Sequence, residues 1–559
     1  MSVRGNCYMK KLWNDLSYFL KNKIYMIVVS LTALFSYGFA MTHPSIGIDD
    51  TCIGLYFEEG LAPAVGRWVL YLLNKLITLD IFLPWMTEVV AVAIFVLSVT
   101  LWCVLIRRVV KREVGIWGYT LFAALFLSCP LISEVFVFYL HNGICIAYGI
   151  TAIAIMELLD AIEQKSIWRL LLSAGCLTIA LGCYESFMIV YLIGILVVFF
   201  LIRLQRDKSQ VTNKEKLHFW IIAALISVAG AVIFRTVIVR ILQWIYGFAI
   251  PEDFTVTARG VIESLTGSET DFAMVLKRFW VMYYLNGFCY LPITVLVLAI
   301  FALVVYGITQ AIRRKDVFLV LSMVCIPLAP LAMVVIEGLP THYRASQYVP
   351  LIGSFAVFLC FYEMAALKGK EIEKTFRLCA VALGFVLLWN QSVQMNQWFY
   401  VDYLKYEDTK QVMEQIAYDL QKDHDTSKPI IFKGAYMVPY EIAKDAYLPF
   451  YSAKYQTMKK IADVVDPHLL EKYNAEDGRG YVFAETPVAS TFRWGVTAFD
   501  GTPRELQAFW NMHGYSFSIE TDLERIDGAY DVLDKIPPYP QAGYIYENEE
   551  NIIIHVSNQ

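Results

Sequence analysis

The chain has 559 residues, of which 58% are hydrophobic, 15% aromatic and only 17% charged, with a mean hydropathy of +0.51 and a formal net charge of -5. An ordinary soluble domain is about half apolar and about one quarter charged. The composition excludes a typical soluble enzyme and indicates an integral membrane protein, and no nucleic-acid partner is expected.

Apolar runs long enough to cross about 30 Å of hydrocarbon as helices recur along the chain. They lie at 24–43, 84–106, 115–133, 143–159, 168–183, 187–204, 217–246, 288–308, 317–336, 345–366 and 375–395. The pattern predicts a polytopic α-helical membrane protein with about eleven transmembrane helices.

Residues 1–23 contain the stretch KKLWNDLSYFLKNK, in which apolar residues recur at helical spacing among lysines. This pattern predicts a cytoplasmic amphipathic helix on the inner leaflet. Basic residues accumulate in cytoplasmic loops, and alternate loops of this chain are basic, beginning with Arg107 and Arg108. The N-terminus is therefore predicted inside, and an odd number of spans places Asp49, Asp50 and the chain after Asn396 outside.

The predicted outer tail, 396–559, has 15 Lys and Arg against 26 Asp and Glu, so it is acidic. YEDTKQVMEQIAYDLQKD and TPRELQAFWNMHG predict helices, the latter capped by Thr502. KPIIFKGAY and RGYVFAET predict strands, and AGYIYENEENIIIHV predicts a terminal hairpin. The tail is predicted to form an extracytoplasmic α/β domain, while 24–395 form the membrane domain.

Adjacent carboxylates, Asp49 and Asp50, follow the first apolar run in HPSIGIDD. A carboxylate held against a reacting hydroxyl can act as a general base, although an acidic pair also simply keeps a loop hydrated. The same loop, about 44–83, carries LAPAVGRWVLYLLNKLI, which predicts one or two interfacial helices. Within it, Arg67 can hold a phosphate bidentately, and Trp68 can stack on a sugar or anchor at the lipid boundary.

Further polar residues lie at the predicted outer level. Charges within a span are costly and face a cavity, a partner or a headgroup, so Arg235 and Arg240 in AVIFRTVIVRILQW are candidate phosphate ligands; snorkelling would also explain them. The other candidates for substrate contact are Glu134, His141, Asn142, Tyr184, Glu185, His342, Tyr343 and Arg344. Neither a Gly-rich nucleotide loop nor a Cys/His array at zinc spacing is present in the sequence. A divalent metal at Asp49, Asp50 or Glu185 is an open alternative that the spacing does not demand, and the sequence indicates no other cofactor.

Four segments follow one another along the chain: I-D-D, G-R-W, the turn Cys-Tyr-Glu-Ser-Phe and the tail opening YVDYLKYEDTKQVMEQIAYDL. With its segments in this order, the chain resembles the type II O-antigen glucosyltransferase family, of the GT-C class. The resemblance spans nearly the whole chain. It implies a bacterial plasma-membrane enzyme that transfers a sugar, glucose or another hexose, from a polyprenyl-phosphate donor to an envelope glycan on the outer face. A donor-lipid synthase and a flippase would act upstream.

The resemblance further implies that Asp49 or Asp50 is the base or positions the acceptor, and that Arg67, Arg235, Arg240 or Arg344 binds the donor phosphate. The family pattern often has Gln where this chain has Glu185. Two other hypotheses are a transporter or flippase of lipid-linked saccharides, which would need charged residues along a route across the membrane, and an envelope scaffold. Apart from Glu157 and Asp160, near a predicted cytoplasmic end, the ionisable residues of the predicted spans cluster at the outer level.

Overall fold

The structure of the protein is a computed structural model. It describes residues 3–46, 50, 61–64, 66–77, 83–136, 141–205, 214–247, 293–329, 347–367, 370–433, 503–529, 532 and 535–556. The chain divides into two compact units. The first contains Met1–Met41, Gly60–Phe136 and Leu140–Asn396, and the second contains Thr42–Glu59, Val137–Tyr139 and Gln397–Gln559.

Helices make up nearly all of the described part of the first unit, and the last of them continues beyond Asn396 into the second unit. In chain order they are α1 Val3–Leu20, α2 Lys23–Thr42, α3 Leu61–Ala64, α4 Trp68–Ile77, α5 Pro84–Val109, α6 Ile116–Leu127, α7 Ser133–Phe136, α8 His141–Gln164, α9 Ile167–Cys183, α10 Phe187–Leu204, α11 Lys214–Tyr246, α12 Ile293–Arg314, α13 Val317–Leu328, α14 Val349–Met364 and α15 Lys370–Asp423.

A helix lies in every one of the predicted apolar ranges. Within the described residues, six helices are long and apolar enough to cross a membrane: Lys23–Thr42, Pro84–Val109, Asn142–Gln164, Phe187–Leu204, Trp220–Ile245 and Glu373–Asp423. The other apolar helices are shorter or only partly described. The fold is therefore mostly helical and compatible with a polytopic membrane protein, whereas the total of about eleven spans stays a prediction.

Two helices have different ends from those predicted. The apolar range 115–133 forms a helix only to Leu127, because Pro130 biases Cys129 to an extended backbone, with φ -63° and ψ 119°, and a short 3-10 turn follows. The span predicted at 375–395 continues without a break to Asp423. No Gly or Pro occurs from Phe385 to Asp423, and Gln, Lys, Glu and Met favour helix there.

Aromatic rings fill the centre of the helical unit. Tyr148 on α8 lies 5.3 Å from Phe95, 5.2 Å from Phe126 and 5.0 Å from Phe187, centroid to centroid, and all four are buried. The Tyr148 hydroxyl donates to the carbonyl of Gln347 at 2.7 Å. Burying such rings stabilises the bundle by more than their area alone, because edge-to-face and tilted pairs contribute about 0.5–1.5 kcal/mol each. This core fixes α5, α6, α8 and α10 relative to one another.

The second unit contains β1 Ile430–Lys433, α16 Pro503–Met512, α17 Leu523–Gly528, β2 Ile545–Glu547 and β3 Ile552–His555. The sheet order is β1-β3-β2, with β1 parallel and β2 antiparallel to β3. The predicted terminal hairpin is thus confirmed. The predicted strand RGYVFAET and the cap Thr502 lie outside the described residues.

Candidate active site

Three segments of the helical unit meet at Glu185, in the turn between α9 and α10. Arg67, just before α4, places its Nε 3.4 Å from Oε2 of Glu185. Arg235, on α11, places its Nη2 2.9 Å from Oε1 of the same carboxylate. The three side chains keep only 22%, 23% and 23% of their exposure. We call Arg67, Glu185 and Arg235 the arginine cluster.

Glu185 is a charged partner in this cluster. Burial by itself would raise the pKa of Glu185, but the charges of Arg67 and Arg235 outweigh it and hold that pKa below its usual value. The carboxyl is therefore ionised at neutral pH and has no proton to donate. The cluster carries two positive charges and one negative charge, so it attracts an anion.

Neighbouring groups hold the two guanidinium groups in place. The Arg67 guanidinium lies 4.5 Å above the ring of Tyr184, a cation–π geometry. Arg235 lies against Gly66, where an added Cβ would be 2.2 Å from Nη2. Donors fixed in this way bind an anion without first losing side-chain freedom.

Trp68 and the turn itself are packed with similar closeness. A Cβ added at Gly182 would lie 2.5 Å from Nε1 of Trp68, so the indole fits only because residue 182 is Gly. The Trp68 N–H is buried and has no hydrogen-bond acceptor among the described residues. Ser186, in the turn, hydrogen-bonds the Gln347 side chain just before α14, and Gln347 is buried. The turn between α9 and α10 is thus also anchored to the segment just before α14.

The structure brings together five of the predicted site residues: Arg67, Trp68, Tyr184, Glu185 and Arg235. Arg240 is exposed and lies on another face of α11, about 140° around the axis from Arg235, so the cluster does not include it. Asp50 is buried, at 2% exposure, and belongs to the second unit.

The remaining predicted residues are not located by the structure. Asp49, His342, Tyr343 and Arg344 lie outside the described residues. Glu134 lies in α7 and His141 begins α8, but their side chains are outside the described part of the chain. Asn142 is buried.

Sequence patterns did not single out Gly182 and Gln347. Gly66 and Ser186 lie within the G-R-W and Cys-Tyr-Glu-Ser-Phe segments. Their sequence signal is a small or hydroxyl residue next to a charged candidate residue. Gln347 has no such signal, because only the packing of α14 brings it to the turn. Within the described residues, no group of three or more His, Cys, Asp and Glu side chains is arranged to hold a metal ion.

Replacing Gly66 by Ala is expected to disrupt the cluster. The residue has a φ of +92°, which disfavours any Cβ by about 1–2 kcal/mol, and the new methyl group would displace Arg235. Gly247→Ala is the matched control, because Gly247 also has a positive φ, +66°, but an added Cβ meets no atom of the described residues within 4 Å. We expect Gly66→Ala to lose clearly more of the predicted sugar-transfer activity than Gly247→Ala does. The activity of each variant would be measured in membranes that contain equal amounts of protein. Equal losses would show that backbone strain alone is responsible.

Comparison with known proteins gives one match. A family model described as Glucosyl transferase GtrII matches residues 38–361, more than half of the chain. The match includes every residue of the arginine cluster and leaves residues 362–559 outside it. No curated protein and no solved structure matches the chain.

Proposed function

The chain belongs to the GtrII glucosyl transferase family, and from this premise we propose that it transfers glucose or another hexose from a polyprenyl-phosphate donor to a cell-envelope glycan. Membership makes the protein a transferase with a sugar donor and a glycan acceptor. The lipid-linked donor, the reaction at the outer face of a bacterial plasma membrane and an upstream donor-lipid synthase and flippase are part of our proposal. So are the topology of about eleven spans with a cytoplasmic N-terminus and the extracytoplasmic domain 396–559.

The arginine cluster is the observation that supports this proposal. Arg67 and Arg235 each present a planar fork of N–H donors with a fixed positive charge. A phosphate oxygen matches the guanidinium fork as well as a carboxylate does. Arg67 and Arg235 would hold the donor phosphate, with Trp68 beside them as apolar surface for the donor and the buried Tyr184 supporting Arg67.

The proposed chemistry is displacement at the anomeric carbon of the donor sugar. A bond forms between the acceptor hydroxyl oxygen and that carbon, and the bond from the carbon to the phosphate oxygen breaks. The hydroxyl proton passes to a carboxylate, for which we propose Asp49 or Asp50, and the lipid phosphate leaves with its electron pair. Charge grows on the leaving phosphate, so fixed arginines at that oxygen stabilise the transition state more than the ground state.

The transporter hypothesis would need charges placed along a route across the membrane. Glu157, which is 1% exposed, is instead bound to Arg169 at 2.7 Å, and Asp160 lies 3.4 Å from the same guanidinium. These residues join α8 to α9 and serve as a structural ion pair. Glu157 and Asp160 therefore do not support the transporter hypothesis.

The proposal is tested by mass spectrometry of envelope glycans in cells that lack the protein. Complementation with wild type is expected to restore one hexose substituent, and complementation with Asp49→Asn or Asp50→Asn is expected to fail for the residue that acts as the base. Identical glycans with and without the protein would overturn the transferase proposal. Full restoration by both variants would remove the acidic pair from the mechanism.

Glu185→Gln is expected to retain transfer within a few fold of wild type. The amide keeps one acceptor oxygen for one of the two arginines, which now donate to separate carboxylate oxygens. Loss of the negative charge leaves the arginines more attractive to phosphate, so the donor KM should fall or stay equal. Glu185→Leu is the comparison, because it removes both acceptor oxygens and leaves two guanidinium groups facing each other. A loss of 100-fold or more in Glu185→Gln would mean that Glu185 acts as an acid or base.

A further inference from the structure

The segment that precedes Asp49 and Asp50 is held by one turn of α15. His43–Ile46 and the helix after Gln397 both belong to the second unit. The Ser45 hydroxyl donates a hydrogen bond to Oδ2 of Asp402. One residue further on the helix, Tyr403 contacts the His43 ring edge-on, with centroids 5.1 Å apart. Ile46, next to Ser45, is buried.

Asp402 is an unusual residue to find at such a position. Its side chain is 2% exposed, and its Oδ1 has no hydrogen-bond partner among the described residues. Burying a carboxylate with one oxygen unsatisfied disfavours folding. Lys405, one turn along the same helix and also buried, supplies an opposite charge that offsets part of this cost. A neutral residue would fill the same space at a lower free-energy cost of desolvation. Packing alone therefore does not account for Asp402.

We propose that Asp402 is a positioning residue that, through the Ser45 hydroxyl, fixes the chain segment leading to Asp49 and Asp50. The inference deepens the proposed function and rests on it, because the fixed segment matters for transfer only if the acidic pair takes part. Asp402 touches no reacting atom in this scheme. It restricts the loop before the substrate arrives, which favours a defined position for the base.

The test is hydrogen–deuterium exchange of the full-length protein in lipid nanodiscs, combined with glycan analysis of complemented cells. In Ser45→Ala and Asp402→Ala, the peptide containing His43–Ile46 should exchange about ten- to a hundred-fold faster, the usual range for loss of a hydrogen bond to a charged group. Peptides from β3, Ile552–His555, should exchange as in wild type. The double variant should exchange no faster than either single variant, because both changes remove the same bond.

Thr409→Val is the matched control. Thr409 is buried on the same helix, and its hydroxyl donates to the carbonyl of Lys405 within that helix, at 2.9 Å. The Thr409→Val substitution should leave the exchange rates of both peptides and the composition of the glycan unchanged. Asp402→Asn, whose amide oxygen can still accept from Ser45, should keep most of the protection that Asp402→Ala loses.

The positioning role is supported if fast exchange is confined to the His43–Ile46 peptide and the hexose substituent falls at least ten-fold in the same variants. Unchanged exchange in Ser45→Ala or Asp402→Ala overturns it, as does faster exchange with a wild-type glycan. Faster exchange that also includes β3 overturns it in favour of a general role in folding. A wild-type protein that adds no sugar would overturn the proposed function itself, and the exchange rates, which need no activity, would still decide whether Asp402 holds the segment.

Discussion

Replacing Arg235 by Gln is expected to lower the rate of sugar transfer about 100- to 1000-fold, the loss found when one fixed donor to a developing negative charge is removed. The same loss is expected for Arg67→Gln. Each variant leaves Glu185 with one arginine, and the attraction for the donor phosphate falls with the net charge of the cluster.

Arg240→Gln is the control for this prediction, because Arg240 lies on the same helix but is exposed and points to a different face. Its transfer rate should stay within a few fold of wild type. Rates would be measured with membranes that contain equal amounts of protein and a synthetic polyprenyl-phosphate hexose. A large loss in Arg240→Gln with none in Arg235→Gln would place the donor phosphate away from the arginine cluster.

The stability of the Arg235 and Arg67 variants should change little. Their side chains are about one fifth exposed, and partly exposed ion pairs contribute only about 0–1 kcal/mol to the free energy of unfolding. A fall in activity at an unchanged unfolding midpoint therefore separates a binding role from a structural one.

Replacing Arg203 by Met is expected to lower the free energy of unfolding by about 3–5 kcal/mol, the effect of leaving a buried charge unpaired. Arg203, near the end of α10, binds Asp316 at the start of α13 with Nη2 to Oδ2 at 2.6 Å, and the side chains are only 4% and 6% exposed. Asp316 also accepts the backbone N–H of Phe318 at 3.1 Å, so it caps α13.

A double variant gives this second prediction its sharpest test. Arg203→Met with Asp316→Asn removes both charges while the Asn can still cap the helix, so it should be more stable than Arg203→Met alone. Arg377→Met is the matched control, because its pair with Glu373 is 34% and 30% exposed and contributes less than about 1 kcal/mol. Unfolding of the purified protein in mixed micelles, followed by tryptophan fluorescence, would measure all three; a double variant less stable than Arg203→Met would refute the ion-pair explanation.

The helices and the terminal hairpin follow from local patterns. Apolar runs of about 20 residues satisfy their backbone hydrogen bonds internally as helices, and each predicted run contains one. The short β-branched and aromatic segments around the polar run Asn548–Asn551 likewise predict the antiparallel pair that is present. Pro130 is also a local signal, because the residue before a proline is biased away from helix. It indicates that the helix ends before Cys129, and the structure ends it at Leu127.

The grouping of the candidate residues depends on tertiary structure. Arg235 and Arg240 have the same local context, and only the position of α11 against Gly66 and Glu185 distinguishes them. His43–Ile46 and Asp50 follow α2 in the chain, yet they belong to the unit that contains Asp402.

The sequence by itself determined where the helices lie, the family to which the chain belongs and the residue types available for binding a phosphate and moving a proton. Tertiary structure alone decided that Arg67, Glu185 and Arg235 form one cluster, that Arg240 lies outside it and that Ser45 is bound to Asp402. The physical reason is range. Hydrophobic periodicity and turn chemistry act over a few residues, whereas Arg67, Glu185 and Arg235 are separated by 118 and 50 positions in the chain and meet only when whole helices pack.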